Sequence, residues 1–194
     1  MGSEKERVAV IAQSGFTVLA VNVRKGLPSW SSWIELAQAW GLAVVPWSPI
    51  DSLAEAEALV RAKQQLGAKS AIFNLERVDL VTPAQLAPHV TDTDVVQGLP
   101  WFQNGAGWQR LGTAIGSPEA YMNADARWRP DVCCEHARLE GFGRAIPTLG
   151  AGVWSDAPLA VTFNTYRPYL TGPYLVYLLD RVPVSEIGRW ESLT

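Results

Sequence analysis

The feature that most constrains this chain is a recurring unit: a short β-rich apolar run, a turn, an amphipathic stretch and a closing glycine. TVLAVNV (residues 17–23) leads into a loop with Gly26 and Pro28, then into an apolar periodic segment that runs to Trp40 and stops at Gly41. LAVVPW (42–47), the turn SPIDS (48–52) and a helical repeat over 53–66 closed by Gly67 restate the unit. Further strands are predicted at SAIFNLE (70–76), VVQG (95–98), AIGSPEAYM (114–122), AIPTLGAGV (145–153) and PYLVYLL (173–179). Helices are predicted over 130–140 and 184–190. Residues 7–12 read either as an eighth strand or as a leading helix.

Strands alternating with helices pair in parallel through right-handed crossovers, which leaves an open doubly wound sheet or a closed barrel. The loop after the first strand, Lys25-Gly26-Leu27-Pro28, is neither a GxGxxG turn nor a phosphate loop, so the nucleotide-binding open sheet is disfavoured. The predicted fold is therefore α/β, a small (β/α) TIM-like barrel of parallel strands with outer helices. At 194 residues the barrel must have trimmed loops. A hydrophobic content of 48% supplies one sizeable core, and residues 1–194 are read as one domain.

Charge and cysteine content exclude several partners. Sixteen Lys and Arg against 19 Asp and Glu give a net charge of −3, too balanced to draw in nucleic acid or anionic lipid by long-range field. No apolar run approaches the roughly 20 residues of a membrane span, and residues 1–7 are too polar to begin a secretion signal. Cys133 and Cys134 are neighbours in a predicted helix, where successive side chains diverge by about 100°, so they are expected to be reduced. With His89 and His136 they make a poor ligand set, and neither metal nor cofactor is expected. Nine Trp is the unusual count, suited to cores, sugar stacking or protein contact alike.

Polar residues at strand ends point to a site. In a parallel barrel an inward-pointing polar residue at the carboxyl end of a strand meets the mouth. Strand parity places Asn74 and Glu76 on one face with Ile72, Asn22 with Ala20 and Val18, Glu119 with Tyr121 and Asn123, and Asp180 with Val176 and Leu178. Asn22, Glu76 and Asp180 are expected at one end of the barrel. Trp47 and Trp101, each after a strand, are candidates to wall the mouth. His136 reads as helix packing, and no Gly-x-Ser-x-Gly elbow or Cys–His constellation supports covalent Ser or Cys catalysis.

The series Ile72-Phe73-Asn74-Leu75-Glu76, Glu119-Ala120-Tyr121-Met122-Asn123, Glu135-His136-Ala137 leading to Ile146-Pro147-Thr148-Leu149-Gly150, and Tyr174-Leu175-Val176-Tyr177-Leu178-Leu179-Asp180 resembles the glycoside-hydrolase-like barrel domain of actinobacteriophage tail proteins. Relatives of that kind commonly carry Asn-Ala-Glu, Pro-Gln-Ala-Tyr and Ser-Val-Tyr-Leu elements. Here they stand as Asn74-Leu75-Glu76, Pro118-Glu119-Ala120-Tyr121 and Leu175-Val176-Tyr177-Leu178, with Glu119 where glutamine is frequent and Asn22 where an acid is frequent. The resemblance implies a virion setting in the tail, synthesis in the host cytoplasm, assembly with other virion proteins and a surface turned to host cell-wall glycan.

Two functions follow. As a glycoside hydrolase, the chain would use Glu76 and Glu119 as its carboxyl pair and Asp180 in reserve, with Asn22, Trp47, Asn74, Tyr121 and Asn123 holding the sugar. In that scheme Glu76, at an apolar strand end, is the raised acid and Glu119 stays ionised. As a structural or binding module, the barrel is a rigid virion block that contacts protein or glycan without cutting. The short loops favour the module; a carboxylate pair closer than about 9.5 Å would favour the enzyme.

Overall fold

The computed structural model describes residues 2–103, 105–122, 125–150, 164–177 and 183–187. Its strands are β1 (Val18–Asn22), β2 (Ala43–Pro49), β3 (Ile72–Asn74), β4 (Val95–Gly98), β5 (Ile115–Pro118), β6 (Arg144–Ala145), β7 (Thr148–Gly150) and β8 (Leu175–Tyr177). The helices that follow them include α2 (Ser31–Ala39), α3 (Leu53–Leu66), α4 (Pro83–Leu86) and α5 (Pro130–Leu139), and α1 (Glu4–Gln13) precedes β1.

Strands β1 to β6 form one parallel sheet in chain order, and β7 pairs with β8 in parallel. Glu119 bridges to Thr148, so the second sheet continues the first. The segment expected to be one strand over 145–153 is divided because Pro147 has no N–H to give: Ile146 still donates to Gly116 O, and the ladder resumes where Ala120 donates to Thr148 O. A sheet whose neighbours follow chain order has no reversal point, so right-handed crossovers put every helix on one face and the sheet curls into the barrel plan rather than the doubly wound one.

Parity then sorts the side chains. Val21, Val23, Val44, Phe73, Leu75 and Val96 face the helices and pack with Ala37, Ala56, Leu59 and Ala62. The small and branched residues on α3 recur at helical spacing, and Ser52 caps its first turn while Gly67, at φ 61°, ends it in the left-handed conformation. Residues 7–12 belong to a helix, not a strand: Ser3 and Glu6 form a capping box, and Ser14 Oγ donates to Ile187 O of the short helix Val184–Ile187. Among the described residues no helix is long and apolar enough to cross a membrane.

Two glycines let aromatics close the helix-side core. Phe102, Trp108 and Phe142 stack with centroids 4.7–6.1 Å apart. A Cβ on Gly98 would lie 2.6 Å from Phe102, and one on Gly116 2.6 Å from Phe142. At the amino end of the sheet, buried Asp94 accepts from Ala71 N, Thr91 N, Thr91 Oγ1 and Lys63 Nζ, tying the starts of β3 and β4 to α3.

Candidate active site

The inward face opposite that core is polar near the carboxyl end of the strands. The register sets Asn22 beside Trp47, and Asn74, Gln97 and Ser117 side by side on β3, β4 and β5. Asn74, Gln97, Ser117, Glu119 and Thr148 are all buried. Burying such groups is costly without partners, and they bond mainly to one another. Ser117 Oγ and Thr148 Oγ1 share a hydrogen bond of 2.8 Å across the join between the sheets. Asn74 Nδ2 donates to Glu76 Oε1 at 2.8 Å, Gln97 Nε2 to Glu119 Oε1 at 3.1 Å, and Trp47 Nε1 to Gln97 Oε1 at 3.1 Å.

Glu76 and Glu119 meet in this network. Each lies just past its strand, and their carboxyl groups are hydrogen-bonding neighbours. Glu119 is only 8% exposed. Burial, and then the negative charge of Glu76, push its carboxyl up to about 8, against the pull of hydrogen bonds from Gln97 and Tyr121. Glu119 is thus neutral at pH 7, which corrects the expectation that it would stay ionised. Glu76 is the exposed member, because the chain leaves the sheet at Asn74, whereas the backbone at Glu119 still pairs with Thr148.

The other expected site residues divide. Tyr121 is buried with its hydroxyl toward Glu119, although a turn brings it there rather than strand parity: Ala120 N donates to Pro118 O and Tyr121 N to Glu119 O. Asn22 stands at the same end, but its Oδ1 accepts from Arg24 N and closes its own turn. Val176 packs on the helix-side core and pairs with Leu149, so it faces away from Thr148 and the inward parity expected for it does not hold. Asp180 and Asn123 lie outside the described residues. Trp101 is exposed and meets His136 of α5 edge-on at 4.8 Å. Cys133 and Cys134 are free and buried, and burial pushes their thiols up to about 12 and about 11.

Gln97, Ser117 and Thr148 were missed by sequence reasoning. The parity rule applied to VVQG, IGSP and TLG would have found them, since each places a polar side chain on the inward face of a short strand. Among the described residues no three His, Cys, Asp or Glu side chains gather as a metal cage would.

No protein-family model matches the sequence, and comparison with curated proteins finds no match. Among solved structures, the spore cortex-lytic enzyme SleL of Bacillus megaterium QM B1551 is similar, with a TM-score of 0.52 at 12% identity over 77% of this chain and 47% of that one. The chain therefore spans about half the length of that enzyme. The D-psicose 3-epimerase of Clostridium cellulolyticum H10, solved with D-tagatose, aligns at a TM-score of 0.32 and 11% identity over 88% of this chain and 66% of that one. A Bacteroidetes-affiliated GH5 cellulase linked with a polysaccharide utilization locus aligns at 0.25 and 12% over 94% and 51%. The strand order, with the likeness to SleL, defines the class: an α/β fold of the TIM-barrel type.

Proposed function

We propose that this chain is a glycan-directed barrel that cleaves a glycosidic bond, with Glu119 as the acid and Glu76 as its partner carboxylate. The observation that carries this reading is the contact between two carboxyl groups, delivered from different strands to the carboxyl end of a parallel sheet, one of them held protonated through neutral pH. Glu119 gives its proton to the leaving oxygen as the glycosidic C–O bond breaks, and a Glu76 oxygen bonds to the anomeric carbon. Water then attacks that carbon, giving its proton to the Glu119 carboxylate, as the bond from the anomeric carbon to Glu76 breaks and releases Glu76. Retaining enzymes hold their carboxyls about 5–5.5 Å apart and inverting enzymes about 6.5–9.5 Å to admit a water, so a neighbouring pair lies nearer the retaining arrangement.

The fold likeness to a spore cortex-lytic enzyme supports a wall glycan as substrate. The resemblance to actinobacteriophage tail barrels supports the finer reading, a module carried on a virion tail among other virion proteins and turned to the host wall. A second reading, a virion module that binds without cutting, is favoured by Trp40 and Trp101, which are 43% and 42% exposed and suited to contact with a partner.

The test is release of reducing ends from host cell-wall polysaccharide by the wild type, Glu119→Gln and Glu76→Gln, alongside pull-down on the same polysaccharide and melting temperatures. Cleavage by the wild type alone, with binding and melting retained in both variants, is the expected result. Binding by all three with cleavage by none would favour the second reading.

A further inference from the structure

We infer that Trp47 and Gln97 are positioning residues that fix which oxygen of Glu119 carries its proton. This rests on the reading of Glu119 as the acid and adds two residues that act on it from strands β2 and β4.

The inference follows from what each group can give. An indole N–H only donates, so the atom of Gln97 that faces Trp47 at 3.1 Å is its carbonyl oxygen. A primary amide with its oxygen committed on one side presents its nitrogen on the other, and there Nε2 donates to Glu119 Oε1 at 3.1 Å. Gln97 is 2% exposed, so water does not compete to turn the amide round. Glu119 Oε1 is thereby held as an acceptor, and the proton of the neutral carboxyl is left to Oε2. Without the Trp47 N–H, Gln97 is free to turn its oxygen toward Glu119, which would move the proton to Oε1.

The rest of the pair is wired in the same sense. Asn74 Nδ2 donates to Glu76 Oε1, so each carboxyl receives one amide donor, from β3 for Glu76 and from β4 for Glu119. The groups facing Glu119 are Gln97 from β4, Tyr121 from the turn after β5 and Glu76 from beyond β3. Trp47 reaches this set through Gln97. Its ring lies on the inward face, and its N–H is spent on the amide rather than kept for a sugar hydroxyl.

The experiment is a carbon-detected NMR titration of the glutamate carboxyls in the whole chain, with the Glu119 signal identified by its loss in Glu119→Gln. The wild type should titrate near 8 at this position. Gln97→Leu removes a donor that favours the ionised form, and should move the midpoint up by about one pH unit. Trp47→Phe keeps a ring but drops the N–H, and should move it in the same direction by less. In the Gln97→Leu background, Trp47→Phe should add nothing. An equal effect of Trp47→Phe in both backgrounds, or no movement with Trp47→Phe alone, would overturn the inference. If melting shows that Gln97→Leu does not fold, Gln97→Met removes the same donor with a more pliant side chain, and Trp47→Phe alone still decides. The titration needs no substrate. Loss of the hydrolase reading would leave the titration pattern standing, and loss of the pattern would leave cleavage standing.

Discussion

Glu76 and Glu119 touch across the end of β4, although the strands that deliver them, β3 and β5, are not neighbours in the sheet. The strand between them supplies Gln97, whose amide bonds to the deeper of the two carboxyls. One carboxyl is exposed and one is buried, and that asymmetry separates their roles. Two carboxylates in contact cannot both ionise cheaply, and the proton settles on the member that water reaches least.

That proton makes stability depend on pH. The folded Glu119 carboxyl titrates near 8 against an ordinary value of 4.5, so the fold favours its neutral form. Below about pH 4.5 the unfolded chain is protonated there too, and the group costs nothing. As pH rises from about 4.5 through about 8, the unfolded chain gives up the proton while the folded chain keeps it. Stability falls across that window by an amount on the order of 5 kcal/mol. Glu119→Gln lacks the effect, so its advantage over the wild type in denaturant unfolding should grow between pH 5 and pH 8. A constant difference between the two proteins would count against a buried neutral Glu119.

At the opposite end of the sheet, Asp94 is 1% exposed, with two backbone N–H groups, a hydroxyl and the Lys63 ammonium bonded to it. Asp94→Ala leaves those donors facing a void and should cost about 3 kcal/mol in urea unfolding. Lys63→Met, which leaves three of the four bonds in place, should cost less. The reverse order would mean that the ion pair, and not the backbone anchoring, is what Asp94 provides.

Gly116 has no room for a methyl group, since Phe142 would lie 2.6 Å from it. Gly116→Ala should destabilise by about 1–3 kcal/mol through overpacking. Adding Phe142→Leu should recover part of that loss, because it removes the ring that collides. If the double variant is no more stable than Gly116→Ala alone, backbone freedom rather than ring contact explains the glycine.

Much of the fold was legible because its signals are local. The helix at Leu53–Leu66 is announced by Ser52, an apolar stripe and Gly67, and the chain-order sheet follows from the alternation together with a first loop that carries no nucleotide-binding glycines. Strand lengths were less legible. SAIFNLE reads as seven strand residues, yet the pairing of β3 covers only Ile72–Asn74, so Glu76 escapes the sheet and becomes the exposed partner. The pairing of Glu76 with Glu119 could be anticipated from parity, but not which would be neutral. That depends on burial, which leaves Glu119 8% exposed while Glu76 stands in solvent, and burial is set by elements far apart in the chain. Parity puts Gln97 of VVQG on the inward face, but its role there depends on Trp47 from β2 and Glu119 from the end of β5.

The most direct test of the central claim is the pH profile of reducing-end release from host wall polysaccharide, measured from pH 5 to pH 10 for the wild type and Glu119→Gln. If Glu119 gives the proton to the leaving oxygen, wild-type cleavage should fall above about pH 8 as that proton is lost. Glu119→Gln should show no cleavage at any pH while still binding the polysaccharide. Cleavage by Glu119→Gln at the wild-type rate, or a wild-type profile that stays level through pH 8, would contradict the account.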